Sequence, residues 1–384
     1  MSSDGGSLAP EHGDERRLAD ATARRAAVVV NPTKIDDQAR FVEAVERAMR
    51  DHGWSAPLWL ETTPEDPGRT QAQQAVEAGA DLVLACGGDG TVTACAEGLT
   101  GSSVPLAILP MGTGNLLARN VGLPAHWPEA LAVALTGTDR RLDSGSVSGS
   151  GSVSDSGSVS DSAGVSDSAG VDGSGSLHRR SFVVMAGLGL DARMLRDTSE
   201  PLKRRLGWAA YAVSAVHHLR DRPMRVTVAA DGAQPVRMRA SAVIVGNVGS
   251  LRGGLPLMPA ARPDDGLLDA VVLNARGLTG WLVLAGQVLT RRAGSDRLTR
   301  IQFKKLRLEV DRLQPWELDG EFMGETTQLT VTALAGKLVL RVPPADHEPP
   351  GQLPADQEQA SQEPAAQEPS AIGAVAAPGE PAAT

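Results

Sequence analysis

The stretch LACGGDGTVTAC, residues 84–95, places three glycines around one aspartate, between an apolar run and a predicted helix. Glycine lets the backbone turn sharply, so several N–H groups can crowd around an anion. A helix that starts directly after the turn adds its partial positive charge. Gly87, Gly88 and Gly90 fit such an anion cradle, and Thr91 is the predicted helix cap. The stretch matches neither GxxxxGKS/T nor GxGxxG, so it predicts phosphate binding outside those two motifs.

Asp89 indicates more than an anion cradle. A carboxylate next to a phosphate is repulsive unless a cation or an acidic proton lies between them. Asp89 therefore indicates either a bound Mg²⁺ or a hydroxyl group that is being activated. The alternative is a structural turn in which Asp89 only caps the following helix.

A second glycine turn, ILPMGTGNLLARN (108–120), follows the next predicted strand in the same way. Two such turns at the carboxyl ends of neighbouring parallel strands define one crevice, which is where open parallel sheets bind ligands. Thr113 and Asn115 would supply a hydroxyl and an amide to a ligand in that crevice.

The first part of the chain predicts strands that alternate with helices. RAAVVV (25–30), PLWLE (57–61), DLVLA (81–85) and PLAIL (105–109) have the length and composition of buried strands. One intervening helix is predicted from an Asp36 cap to His52, with Gly53 as its stop. This alternation favours a Rossmann-like, doubly wound α/β lobe with a parallel sheet covered on both faces.

The second part predicts strands in succession, which favours an antiparallel β-sandwich-like lobe. A single long helical stretch is predicted over residues 201–219. The predicted strands are SFVVMAG (181–187), MRVTVAA (224–230), SAVIVGN (241–247), LLDAVVL (267–273), IQFKKLRLEV (301–310) and QLTVTAL (328–334).

Three segments are too polar to bury a core and are predicted to be disordered: 1–23, the Ser/Asp/Gly insertion 143–177, and the tail 344–384. The formal net charge is −9, but residues 144–176 and 345–384 contain eleven acids and no base. Removing those acids leaves a net charge of +2, so overall acidity says nothing about the ligand of the folded part.

Cysteine content and hydropathy indicate the cellular compartment of the protein. Cys86 and Cys95 are the only two cysteines, which argues against a disulfide framework or a zinc site and suits a reducing cytosol. No apolar run approaches the ~20 residues that span a bilayer, and the N-terminal residues lack a signal-like segment. We expect a cytoplasmic protein that meets a membrane, if at all, peripherally at its inner surface.

Six motifs in order make the chain resemble the diacylglycerol kinase catalytic-domain family, which includes soluble bacterial lipid kinases and shares its domain with sphingosine and ceramide kinases. They cover residues 25–343 apart from the insertion. The motifs are NPTK (31–34), GGDGTVT (87–93), PMGTGN (110–115), GLGLDA (187–192), GGLPLMPAARPDDGLLD (253–269) and LDGE (318–321).

The resemblance implies ATP as a substrate, bound between a nucleotide domain (24–142, with a returning strand over 331–343) and a lipid-substrate domain (178–330). It also implies Mg²⁺, held by Asp265 and the backbone carbonyls of Arg262 and Leu267. Glu321 matches the family's general base, with Asp89 as partner to metal or hydroxyl. The implied nucleotide contacts are Asn31, Pro32, Thr33, Lys34, Thr62, Gly87, Gly88, Asp89, Gly90, Thr91, Val92, Thr93, Gly112, Thr113 and Asn115.

Two positions depart from the family pattern. Lys34 stands where many members have glycine, and Leu116 stands where many bacterial members have aspartate. If that aspartate helps to hold a catalytic metal elsewhere, Asp89 and Glu321 must suffice here.

The predicted helix over 201–219 combines a basic cluster, Lys203, Arg204 and Arg205, with Trp208 and Tyr211. This combination suits a membrane interface, and a core-packed helix with a solvated basic end is the alternative. Expected partners are ATP and a lipid at a membrane surface, without nucleic acid, and homodimerisation is left open.

Three functions compete. The first is an ATP-dependent lipid kinase of phospholipid metabolism, most simply one that converts diacylglycerol to phosphatidic acid. The others are an NAD kinase-like phosphotransferase, which shares a GGDGT-like turn, and a noncatalytic nucleotide- or lipid-binding module. PDDGLLD and LDGE favour the first, and an intact Asp89, Asp265 and Glu321 argue against the third.

Overall fold

Four parallel strands form the part of the sheet that carries both glycine turns. The computed structural model describes residues 24–152, 176–189, 223–249, 257–275, 277, 280 and 298–344. The four strands lie in the order β2-β1-β3-β4, as the predicted doubly wound lobe requires. Their bounds are β1 Ala26–Val30, β2 Leu58–Glu61, β3 Leu82–Gly87 and β4 Leu106–Pro110.

Helices cover both faces of these strands, and all residues of β1, β3 and β4 are buried. Phe41, Val45 and Met49 pack on one face, and Cys95 and Leu99 pack on the other. The helices are α1 Gln38–Asp51, α2 Arg69–Glu77, α3 Asp89–Leu99, α4 Leu116–Asn120 and α5 Trp127–Thr136.

Two predicted helix caps were wrong by one to three residues. Asp37, rather than Asp36, caps α1, because its carboxylate accepts the N–H of Arg40 at 3.0 Å. The cap of α3 is Gly88 rather than Thr91, since the helix already begins at Asp89. Thr91 is instead buried within the first turn of that helix.

The described residues after 137 add ten mostly antiparallel strands to the same sheet. Six of them continue it from β4 in the order β14-β13-β7-β10-β11-β12, and β5, β6, β8 and β9 pair at its side. Phe182, Phe303 and Trp316 are fully buried in its core. The bounds are β5 Thr138–Ser152, β6 Ser176–Phe182, β7 Met185–Gly189, β8 Met224–Ala230, β9 Val236–Ala240, β10 Ala242–Gly246, β11 Leu268–Leu273, β12 Leu298–Phe303, β13 Lys305–Leu318 and β14 Glu321–Val342.

The long strand β14 joins the two halves. It pairs with β13 along its first half, and Leu340 near its end pairs in parallel with Leu106 of β4. The described residues belong to one compact unit in which the α/β part and the mostly antiparallel part share a sheet.

The predicted start of the disordered insertion at residue 143 was wrong. β5 continues to Ser152 and β6 begins at Ser176, because β5 pairs with β14 almost along its whole length. Leu142 and Val147 are buried there, and the Phe182 ring packs over Gly145. Residues 153–175 lie outside the described residues.

Two predicted strands are each divided in the structure. SFVVMAG is split between β6 and β7, because the N–H groups of Val183, Val184 and Met185 all bind Asp319. IQFKKLRLEV is split at Lys304, whose N–H binds Asp231. The pattern missed β9, and the predicted helix over 201–219 and the segments 1–23 and 345–384 lie outside the described residues.

Candidate functional site

The two glycine turns are pressed against each other backbone to backbone. The N–H of Met111 donates to the carbonyl of Gly87 at 2.8 Å. A Cβ atom added at Gly112 would lie 2.7 Å from the Cα of Gly88, closer than real Cβ contacts come. Only glycine fits this approach, so the glycines bring the ends of β3 and β4 into one crevice, where the sequence predicted it.

Asp89 fastens the first turn to the second. Its Oδ2 accepts the N–H of Asn115 at 3.0 Å, and its Oδ1 accepts the N–H of Leu116 at 2.6 Å. A Cβ at Gly114 would collide with the same carboxylate. Asp89 therefore does not merely cap its own helix, because both of its oxygens bind the neighbouring loop.

The Asn115 side chain stabilises the second turn. This residue has a left-handed backbone (φ 48°), and its side chain accepts the N–H of Gly112 at 3.0 Å and donates to the Gly112 carbonyl at 2.8 Å. The Asn115 side-chain amide, predicted to contact a ligand, thus binds the backbone of its own turn. Thr113 is exposed at the tip, while Leu116 is buried and offers Asp89 only its N–H.

Some of the residues predicted to contact the nucleotide have buried side chains. A Cβ at Gly87 would lie 2.5 Å from Oγ1 of Thr91, which is 3% exposed. Val92 and Thr62 are also buried. These three side chains are therefore not on the surface, whereas Gly90 is exposed.

The NPTK turn lies at the same edge of the sheet, after β1. The N–H of Asn31 donates to the carbonyl of Cys86 at 3.0 Å, which joins this turn to the end of β3. The Asn31 side chain accepts from both the N–H and the hydroxyl of Thr33 and begins a short 3₁₀ turn over Pro32–Lys34. Thr33 and Lys34 are exposed, so Lys34 is available to an anion.

The LDGE motif forms the tight hairpin between β13 and β14. Asp319 and Gly320 both have positive φ, 48° and 89°, as a type I′ turn requires. Asp319 accepts three backbone N–H groups from residues 183–185 and the hydroxyl of Thr93 on α3 at 3.2 Å. Asp319 therefore joins the hairpin to the helix that begins at Asp89.

Burial raises the pKa of Asp319 to about 6, even though its four hydrogen bonds favour the charged form. Asp319 was not among the predicted site residues, because the chemistry of the motif was assigned to Glu321 alone. An Asp-Gly pair between two strands was the available signal for the turn.

Glu321 is exposed as the first residue of β14. Its neighbour is Glu97, whose pKa is raised mainly by burial and in small part by the charge of Glu321. The Glu97 side chain is 11% exposed and lies 3.7 Å from Arg180 of β6. Sequence reasoning missed Glu97, although Asp89, Thr93 and Glu97 are spaced at i, i+4 and i+8 and so share one helix face.

The loop that contains the predicted metal ligands is anchored by Asp143, a buried acid. Its carboxylate accepts the N–H of Gly266 at 2.7 Å and the N–H of Gly336 at 2.7 Å. Asp264 is paired with Arg140 at 2.6 Å, and Asp265 is exposed. Asp265 accepts the N–H of Leu267 at 2.9 Å through one oxygen only.

The chemistry of this loop fits a hard cation. A carboxylate oxygen of Asp265 with the carbonyls of Arg262 and Leu267 is an all-oxygen set of the kind that Mg²⁺ accepts together with water. Within the part of the chain that the structure describes, no group of three acidic, histidine or cysteine side chains could enclose a metal ion. Backbone carbonyls and water would therefore supply most of the ligands.

Comparisons with known proteins place the chain in a family. The diacylglycerol kinase catalytic-domain model matches residues 25–147, and a YegS C-terminal, NAD kinase β-sandwich-like domain matches residues 183–360. The chain is 30% identical over 309 residues to a Pseudomonas fluorescens protein named probable lipid kinase YegS-like, which covers 79% of this chain and 90% of the relative. The chain belongs to the diacylglycerol kinase catalytic-domain family.

Other members support this placement. A diacylglycerol kinase of Mycobacterium tuberculosis is 28% identical over 251 residues, or 65% of this chain and 72% of that protein. A crystal structure of a diacylglycerol kinase from Bacillus anthracis superposes with a TM-score of 0.62 at 22% identity, covering 85% of this chain and 99% of that one. This structural likeness confirms the predicted fold class.

Membership in this family makes the chain a lipid kinase relative and ATP its expected phosphate donor. None of the helices in the described ranges is both long and apolar enough to cross a bilayer.

Proposed function

We propose that this protein transfers the γ-phosphate of ATP to a hydroxyl group of a membrane lipid, with diacylglycerol as the first candidate and phosphatidic acid as its product. The observation that supports it most is the double connection of α3. Asp89 at its start binds the second glycine turn, and Thr93 one turn later binds the Asp319 of the LDGE hairpin. One helix thereby ties a phosphate cradle to the hairpin that presents Glu321.

The polyphosphate would bind to backbone N–H groups of the two turns. Gly88 and Gly90 flank the start of α3, where the helix dipole favours an anion. Lys34 would add a positive charge from the neighbouring turn. Bound Mg²⁺, held at its structural site by Asp265 with the carbonyls of Arg262 and Leu267, would supply positive charge and rigidity.

Glu321 would accept the proton of the lipid hydroxyl. The hydroxyl oxygen would then bond to the γ-phosphorus as the bond between that phosphorus and ADP breaks. An exposed carboxylate is suited to this role because it can meet a substrate, whereas Asp319 already binds four donors. Asp319 would fix the position of the hairpin, and Glu97 lies beside Glu321 as a second acidic group.

The test is the transfer of labelled γ-phosphate from ATP into chloroform-extractable lipid, with diacylglycerol, ceramide, sphingosine, monoacylglycerol and phosphatidylglycerol as separate acceptors and NAD as a water-soluble one. Glu321→Gln should lower kcat by a factor on the order of 10² to 10⁴ while ATP still binds. Glu77→Gln, a remote exposed isosteric change, is the control. Unchanged turnover in Glu321→Gln would refute the assigned base.

The acceptor screen also separates the competing functions. Label in NAD but in no lipid would favour an NAD kinase-like transfer. ATP binding without transfer to any acceptor would favour a noncatalytic module.

A further inference from the structure

The hairpin of β8 and β9 carries three exposed arginines. Arg225 on β8 lies directly opposite Arg239 on β9, and Arg237 lies opposite Thr227. Like charges in directly opposite positions destabilise an antiparallel pair. Because this arrangement costs stability in the isolated protein, an anion is the natural partner for it.

Two acids on β13, Glu309 and Asp311, line the same groove as these arginines but form no ion pair with them. None of the three guanidinium groups makes an ion pair with another described residue. Glu309 on the adjacent strand β13 is paired with Arg307 at 2.9 Å. Asp311 accepts the backbone N–H, not the side chain, of Arg225.

The arginines line an open groove of about 460 Å³ across β8, β9 and β13. Two aliphatic side chains on the same strands are also exposed, although neither lines the groove: Val236 on β9 is 54% exposed, and Leu313 on β13 is 50% exposed. Among the described residues these are two of only three large hydrophobic side chains that are exposed, and none of the three is aromatic.

The residue types on this face favour an anionic bilayer over single-stranded nucleic acid as the partner. Surfaces that bind single-stranded nucleic acid combine positive charge with aromatic side chains on which bases stack, and this face has none that is exposed. Exposed guanidinium groups without aromatic neighbours suit the headgroup layer of an anionic bilayer, which attracts basic side chains by its surface charge.

We propose that this arginine face, formed by Arg225, Arg237 and Arg239, binds the headgroups of an anionic phospholipid bilayer. The choice of a bilayer as the source of the anion rests on the proposed lipid substrate, whereas the anion preference rests on the face alone. The face lies outside the crevice of the glycine turns and contains none of its residues.

The test measures cosedimentation of the full chain with phosphatidylcholine vesicles that contain or lack phosphatidylglycerol. Each basic residue near an anionic surface contributes about 1 kcal/mol, so Arg237→Gln/Arg239→Gln should weaken partitioning roughly 30-fold. The control is Arg47→Gln/Arg50→Gln, which removes the same charge from exposed positions on α1. Binding of the unaltered chain should also fall as salt shortens the Debye length.

The substituted residues are exposed, and matching thermal melts would show that both variants fold. The proposal is overturned if the unaltered chain ignores phosphatidylglycerol, or if the β9 variant partitions like the unaltered chain. It is also overturned if a single-stranded RNA oligonucleotide, and not the vesicles, binds in an arginine-dependent way. Kinase turnover can be measured in detergent micelles, which contain no bilayer, and vesicle binding can be measured without turnover. Failure of this proposal is therefore distinguishable from failure of the proposed function.

Discussion

Asp89→Asn tests the connection between the two glycine turns. The carboxylate accepts the N–H of Asn115 at 3.0 Å and that of Leu116 at 2.6 Å, one on each oxygen. An asparagine keeps one acceptor and turns its amide donor towards the other N–H group. One charge-assisted hydrogen bond is lost and the other is weakened.

The expected loss is about 2 kcal/mol in the free energy of unfolding, because a hydrogen bond to a charged group contributes about 1.5–3 kcal/mol and Asp89 is only half-buried. If about 1.4 kcal/mol of that must be recovered to restore the turn on binding, ADP should bind roughly tenfold more weakly. Urea unfolding measures the first quantity and titration calorimetry the second. ADP without Mg²⁺ is the right ligand, since a lost metal contact then cannot explain the result.

Asp37→Asn is the matched control. It removes the same charge from a carboxylate that caps α1 through a single bond to Arg40, and asparagine caps helices about as well. The reasoning is refuted if Asp89→Asn unfolds at the same urea concentration as Asp37→Asn and binds ADP equally well.

The remaining predictions concern the same crevice. Asp319→Asn should reduce a pH dependence. The raised pKa of Asp319 makes the unaltered protein lose stability as pH rises from about 4 to about 6, by at most roughly 3 kcal/mol, so the urea midpoint should fall less across that range in the variant, and an equal fall would contradict this. Glu97→Gln should gain stability relative to the unaltered protein as pH rises above about 4.5, because burial penalises the charged form; a constant difference at all pH values would contradict this. Gly114→Ala should displace Asp89 and lower the melting temperature, whereas Gly90→Ala, whose Cβ meets no atom within 4 Å, should not; equal melting temperatures would count against the packed turns.

Local patterns were sufficient to predict the parallel half of the fold. Its strands are short apolar runs and its helices have one buried face, so each element is visible within its own residues. The adjacency of the two glycine turns followed as well, because carboxyl ends of neighbouring parallel strands share one edge.

The antiparallel half was harder to predict because distant residues decide its elements. The break between β6 and β7 is made by Asp319, more than 130 residues away. β5 extends into a serine- and glycine-rich segment because β14 provides a partner for its backbone. Neither effect leaves a signal in the local composition.

The candidate site, too, was predicted only in part. Residue types and order indicated phosphate binding, but the sequence could not show that Asp89 and the Asn115 side chain are engaged within the turns, or that Thr62 and Thr91 are buried. Glu97 and Asp319 gained significance only once α3 was seen to lie against the LDGE hairpin.

The most direct test of the account is a crystal structure with a non-hydrolysable ATP analogue and Mg²⁺. The account predicts that the triphosphate contacts backbone N–H groups of both turns, around Gly88–Gly90 and Gly112–Thr113, with the Glu321 carboxylate facing the terminal phosphate. A triphosphate bound away from either turn, or a Glu321 that points away from the phosphate, would contradict it.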